Sequence, residues 1–236
     1  MEVIYLTDLY IIRHCEAVGN RDRTFQGISD CDITDLGRKQ LECVAERFKK
    51  ITPDAIYSSP LKRAYLTAEA ANKYHGVSIT KVDDLIEIDG GEIEGISWVD
   101  FPETRPELEY AWSFEPHKFH PKGGEPMSSV YERSWKAVKR IVAENGDKTV
   151  FLASHGCTIR NIICNALGRK IEQLNTVNWA DNTGVFHLRF NDPDSLPEIL
   201  LFNDVSHLPE DCLPERSRIK SMFATKPVIK PISEEK

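Results

Sequence analysis

Leu9-Tyr10-Ile11-Ile12-Arg13-His14-Cys15-Glu16 is a short apolar run that stops on an arginine, a histidine and a carboxylate. A run of this length reads as a strand buried on both faces, and such a strand ends where its polar residues emerge. Arg13 and His14 therefore stand at the carboxyl end of a central strand, the edge of an open α/β sheet where ligands bind. The theme returns at Thr149-Val150-Phe151-Leu152-Ala153-Ser154, which runs into His155-Gly156 and a helix from about Thr158 to Leu167, closed by Gly168. Two histidines thus end two buried strands.

Between them the chain alternates helix and strand signals. Ala17 to Ile33, with Gly19, Asn20, Gln26 and Gly27, reads as a loop over the strand edge. Thr34 or Asp35 caps an amphipathic helix whose stripe is Leu41, Val44, Ala45 and Phe48, ended by Ile51-Thr52-Pro53. Asp54 to Tyr57 is a short strand. Ser58-Ser59-Pro60 then opens a helix through Leu61, Ala64, Ala68 and Ala71. Lys62 and Arg63 fall in its first turn, where the helix dipole disfavours cations unless an anion is present. Lys62 reads as a surface charge and Arg63 as an anion ligand.

A further strand near Ser78 to Val82 leads to a loop from Asp84 to Gly95, where carboxylates and glycines crowd together; one of its acids is a candidate proton donor. Ile96 to Pro126 is rich in aromatics and prolines and reads as an insertion capping a pocket, with flank packing the equally weighted alternative. Ser129 to Glu132 matches a capping box for a helix presenting Tyr131, Trp135, Val138 and Val142, stopped by Asn145-Gly146. Gly184 to Phe190 and Ile199 to Phe202 read as an antiparallel pair at the sheet edge. The expected fold is a three-layer α/β/α sandwich with a mostly parallel sheet, an antiparallel edge strand and an inserted cap. Residues 1–212 form one domain with the cap at about 96–127, and 213–236 form a C-terminal arm.

The 236 residues are 41% hydrophobic and carry a formal net charge of -7, enough apolar matter for a sizeable core and no broad basic surface. Nucleic acid and anionic membranes are excluded as partners, because both need a basic face. No apolar run approaches the roughly 20 residues that span a bilayer. The six cysteines form no C-x-x-C pair and no apolar signal segment opens the chain, so reduced thiols in the cytoplasm are expected. The assembly is open between a single copy and a homodimer.

Arg13, His14, Arg63 and His155, an acid from the Glu87 to Glu94 loop and the amides near Gly156 would collect at one sheet edge. Guanidinium, imidazole and oriented N–H groups match the oxygens of a phosphoryl group. Flanking cations favour the neutral imidazole that can attack phosphorus, and a backbone carbonyl accepting its other N–H would fix the tautomer. A carboxyl would serve the leaving oxygen. No cofactor is needed, since the arginines do the charge stabilisation a divalent cation does elsewhere. His75, His117, His120, His187 and His207 read as structural.

Arg13-His14-x-Glu16 after a strand, Ser58-Ser59-Pro60-Leu61-Lys62-Arg63-Ala64, Glu87-x-x-x-Gly91-x-x-Glu94-Gly95 and Ser154-His155-Gly156 together resemble the histidine phosphatase superfamily, phosphoglycerate mutase-like branch. The resemblance spans Tyr10 to Asn203. It implies a phosphohistidine at His14, a phosphate pocket of Arg13, Arg63 and His155, and Glu87 as proton donor. Asn20, Gln26 and Gly156 would face the substrate. Phe25 to Asp30 is more similar to the phosphatase members than to the mutases, and Cys15 and Cys31 stand where glycine and proline are usual.

The leading expectation is a phosphomonoesterase acting on small phosphorylated metabolites. A mutase would instead depend on a bisphosphorylated primer, and a silent phospholigand-binding module would bind phosphate without releasing it from esters. A zinc site built from His14, Cys15, His155 and Cys157 is a further alternative, opposed by the repulsion of the arginines. Cys15 and Cys157, in a cationic pocket, are also expected to be reactive toward peroxide.

Overall fold

The computed structural model describes residues 6–213. Six strands form one sheet in the order β3-β2-β4-β1-β5-β6. These are β1 (Thr7–Arg13), β2 (Ala55–Ser58), β3 (Ile79–Lys81), β4 (Thr149–Ser154), β5 (Val185–Phe190) and β6 (Glu198–Asp204). The first four run parallel, while β5 is antiparallel to both β1 and β6.

Alternation along β1 explains the layers. Leu9 and Ile11 join a core completed by α6 (Met127–Glu144) and α7 (Gly156–Ala166), through Val138, Ile141, Ile159 and Ile162. Ile12 points the other way, toward Val44 and Phe48 of α2 (Asp35–Phe48) and Ala68 and Ala71 of α3 (Lys62–Asn72). Successive side chains of a strand face opposite sides, so a strand apolar at every position demands helices on both. The result is the three-layer architecture expected from the sequence.

Register then sets the site. Arg13 pairs with Ser154 and Ser58 with Ala153, so β1, β4 and β2 end level with one another. His14, His155 and Ser59, each the next residue along, are consequently neighbours at one edge.

Several local expectations need correction. The loop after Glu16 contains a short helix, α1 (Val18–Arg21). Thr34 does cap α2, its Oγ1 accepting from Gly37 N at 3.0 Å. The helix after β2 begins at Lys62 rather than Pro60, and no serine caps it. Instead Asp30, from the loop between β1 and α2, accepts the Lys62 N–H at 2.8 Å. α6 starts at Met127, ahead of the expected capping box, and Ser129 Oγ donates to Glu125. The 96–127 insertion holds two helices, α4 (Phe101–Thr104) and α5 (Pro106–Phe114). Pro102 and Pro106 lie in their first turns, where proline forfeits no intrahelical bond.

Residues 214–236, most of the expected C-terminal arm, lie outside the described residues.

Candidate active site

The β1 edge is held by many bonds. Cys15 N donates to Thr67 Oγ1 at 3.0 Å and Glu16 N to Gln40 Oε1 at 2.8 Å. The His14 carbonyl accepts from Asn182 Nδ2 at 3.0 Å, and Thr183 N donates to the Arg13 carbonyl at 3.1 Å. Thr183 adopts φ of 57°, a left-handed conformation costly for a β-branched residue and retained where surroundings over-determine it. Asn182 and Thr183 were not singled out from the sequence; the turn-forming run Asp181 to Gly184 was the available signal.

His14 is 3% exposed and His155 is 0% exposed, with ring centroids 5.2 Å apart. The Cys15 carbonyl lies 2.7 Å from His14 Nδ1. A carbonyl can only accept, so Nδ1 carries the proton and Nε2 keeps its lone pair. Burial, then the Arg63 and Arg13 charges, holds the His14 imidazole well below its usual pKa and therefore neutral. His155 is lowered by burial and the same arginines. Its Nε2 meets Ser59 Oγ at 2.7 Å, while its buried Nδ1 has no partner among the described residues.

Arg63 is fully buried, donating to the carbonyls of Ser29 (2.8 Å) and Gly27 (2.7 Å). Its Nε finds no acceptor among the described residues. Gly27 is required here: a Cβ on it would stand 2.1 Å from the Ile88 carbonyl. The same loop is pinned by Glu94, which accepts from the N–H groups of Gly27, Ile28 and Ser29 and from the Ser29 hydroxyl. Lys62 instead pairs with Asp32 at the surface, as expected of a solvated charge.

Glu87 sits on the first turn of α7. Oε1 accepts from Ile88 N and Thr158 N, whereas among the described residues Oε2 accepts from Cys157 N alone, at 2.9 Å; the Thr158 hydroxyl donates to the Ile86 carbonyl at 2.7 Å. The amides of Cys157 and Thr158, expected to face phosphate, thus hold the acid instead. Arg133 fixes this loop from behind, donating to the carbonyls of Asp84, Ile86 and Glu87 while paired with Glu125. The parts played by Glu94 and Arg133 depend on distant partners that sequence spacing does not reveal.

A cavity of about 310 Å³ opens beside His14, lined also by Arg13, Asn20, Gln26, Glu87, Gly156 and a group of aromatic side chains. Arg63 and His155 lie behind this lining, close enough to impose their charge or ring on His14. Gln26 presents both amide atoms, buried and without partners. Asn20 accepts from Ala17 N at 3.0 Å through Oδ1. Trp98 and Trp112 bring the insertion into the cavity wall and also pack against the core.

The lowered thiol pKa expected at Cys15 and Cys157 does not arise: burial pushes Cys15 up to about 12 and raises Cys157 well above its usual value. Cys157 lines the cavity, whereas Cys15 does not. Among the described residues no group of three His, Cys, Asp or Glu side chains is arranged to hold a metal ion, so the zinc alternative is not assembled. No helix among them is long and apolar enough to cross a membrane.

The model of the histidine phosphatase superfamily (branch 1) matches residues 9–205. Phosphoserine phosphatase 1 of Hydrogenobacter thermophilus is 35% identical over 163 residues, covering 69% of this chain and 77% of the relative. The metal-independent phosphoserine phosphatase of Arabidopsis thaliana is 31% identical over 208 residues, covering 86% and 84%. Among solved structures, Bacillus stearothermophilus YhfR superposes with a TM-score of 0.80 at 27% identity, over 85% of this chain and 98% of that one. Fold, paired histidines and sequence relatives agree, and the chain belongs to branch 1 of the histidine phosphatase superfamily.

Proposed function

We propose that this histidine phosphatase hydrolyses small phosphorylated metabolites through a phosphohistidine at His14, with Arg13, Arg63, His155 and Glu87 as the other catalytic groups. Relatives named as phosphoserine phosphatases support both the activity and the size of substrate. The observation that carries the reading is the His14 ring, neutral with Nε2 unencumbered, beside a second imidazole at 5.2 Å.

The reaction runs in two displacements. His14 Nε2 attacks phosphorus as the ester P–O bond breaks, and the leaving oxygen takes a proton from Glu87. Oε2 is the oxygen for that proton, since Oε1 already accepts two backbone N–H groups and Oε2 one. Water then loses a proton to Glu87 and attacks the phosphohistidine, which releases inorganic phosphate and regenerates His14. The arginine charges and a donating His155 Nδ1 stabilise the oxygens of the transferred group. Asn20, Gln26 and Gly156 contact the substrate.

We take 1–212 as the phosphatase domain, with the 96–127 segment as its cap and 213–236 as an arm. Six free cysteines support a cytoplasmic location. A panel of phosphate esters, assayed with wild type and His14→Ala, tests the reading. Hydrolysis without a bisphosphorylated primer, abolished by the substitution, is expected; primer-dependent turnover would favour a mutase, and binding without hydrolysis a silent module.

A further inference from the structure

The residues before β5, 180–184, form a turn that grips the end of β1 from outside the strand itself. The Ala180 carbonyl accepts from Arg13 Nη1 at 2.5 Å, and Thr183 N donates to the Arg13 and His14 carbonyls at 3.1 and 3.3 Å. Asn203 of β6 anchors this turn, its Oδ1 accepting from Asp181 N at 2.8 Å and its Nδ2 donating to Asp181 Oδ2 at 2.9 Å. Gly184 permits that approach, because a Cβ there would stand 2.1 Å from Asn203 Oδ1. The side chain carried inward is Asn182, 6% exposed.

The orientation of the Asn182 amide is fixed by what it meets. Nδ2 faces the His14 carbonyl at 3.0 Å, and a carbonyl can only accept. The same nitrogen meets Asn20 Oδ1 at 3.4 Å. That oxygen also accepts from Ala17 N at 3.0 Å, a backbone donor that settles which atom of the Asn20 amide is oxygen. Two donors thus hold Oδ1 on one side and leave the NH2 for the cavity that Asn20 lines. For an anion the difference is large: an N–H donated to a phosphoryl oxygen makes a charge-assisted bond, whereas an amide oxygen in its place repels.

We infer that Asn182 is a positioning residue for phosphoryl transfer, acting through Asn20: it keeps the Asn20 NH2, rather than its oxygen, turned toward the transferred group. The inference rests on the phosphomonoesterase reading and adds to it a residue that does not itself line the cavity.

A double-mutant cycle on kcat/KM for para-nitrophenyl phosphate tests it. Asn182→Ala should cost about tenfold in the wild-type background, the scale of a lost hydrogen bond. In an Asn20→Ala background the cost should shrink to about twofold, since the group being oriented is gone. Equal costs in the two backgrounds overturn the inference. Asn182→Asp, of the same size, replaces the donor with an acceptor facing two other acceptors. Its kcat/KM relative to wild type at the same pH should rise about fivefold between about pH 8 and about pH 5, as the buried carboxyl takes up a proton and donates again. A merely structural role predicts a flat ratio, and a flat ratio overturns the inference even where Asn182→Ala does not fold. Failure of wild type to release phosphate from any ester, para-nitrophenyl phosphate included, would instead sink the phosphomonoesterase reading and this inference with it.

Discussion

The two ends of the cavity are built on opposite plans. At the phosphate end, His14, His155, Arg63 and Glu87 are buried and oriented by hydrogen bonds, His14 through the carbonyl of the next residue and the other three through partners far along the chain. At the aromatic end, Trp98, Trp112 and Trp179 are partly exposed and meet one another through ring contacts. Residues nearby on the insertion are open to solvent: Val99 is 67% exposed and Phe114 is 59% exposed. Hydrogen-bonded geometry tolerates little displacement, whereas apolar packing accepts substitution of similar volume. The sheet edge therefore holds its groups in a fixed geometry, whereas the insertion supplies a more tolerant part of the cavity wall.

Removing the acid gives the largest effect on which this contrast can be tested. Glu87→Gln should lower kcat by about 10²- to 10⁴-fold on an alkyl phosphate, the usual contribution of a positioned acid. The loss should be much smaller on para-nitrophenyl phosphate, whose leaving group needs no proton. Equal losses on both esters would mean that Glu87 only supports the loop.

Acid should weaken the fold next, through imidazoles both at the phosphate end and away from it. Burial, then the Arg47 charge, lowers His207 to about 4 from an unperturbed 6.5. The unfolded chain binds this proton first, so the stability is present above 6.5 and is lost as pH falls toward 4. The full loss is about 3 kcal/mol. His14 and His155, both lowered well below 6.5, act in the same direction. Urea midpoints should fall from pH 7 to pH 5; a constant midpoint would mean that these imidazoles are not buried neutral.

Anion binding should show the reverse sign. Arg63 is a buried cation whose hydrogen-bond acceptors among the described residues are carbonyls, so an oxyanion at this end relieves a desolvated charge. Inorganic phosphate at 100 times its Kd should stabilise the fold by about 2.7 kcal/mol, read as a rise in Tm. An unchanged Tm with phosphate demonstrably bound would contradict this. The smallest effect belongs to the insertion. Val99→Ser, far out on the exposed surface, should change stability by no more than about 0.5 kcal/mol. A larger loss by chemical denaturation would show that the insertion is part of the cooperative core.

Much of this plan was legible in the sequence because local signals and buried strands coincide. An apolar run ending on Arg13-His14 can hardly be placed anywhere but at a sheet edge, and Thr34 sits directly before the helix that carries a clear apolar stripe. What escaped was set by partners far away in sequence. Asp30 caps α3 across 32 residues, Glu94 reaches back to Gly27 across 67, and Asn182 reaches His14 across 168. The direction of the thiol shifts was misjudged for a related reason: neighbouring charges can be guessed from a motif, but the burial that outweighs them around Cys15 and Cys157 emerges only from packing.

Trapping the covalent intermediate addresses the central claim most directly. Enzyme mixed rapidly with a phosphate ester and quenched in base should carry one phosphoryl group on the peptide containing His14. That linkage should be stable to alkali, labile to acid and absent from His14→Ala. A phosphoryl group found on another residue, or normal turnover by the His14→Ala protein, would contradict the account.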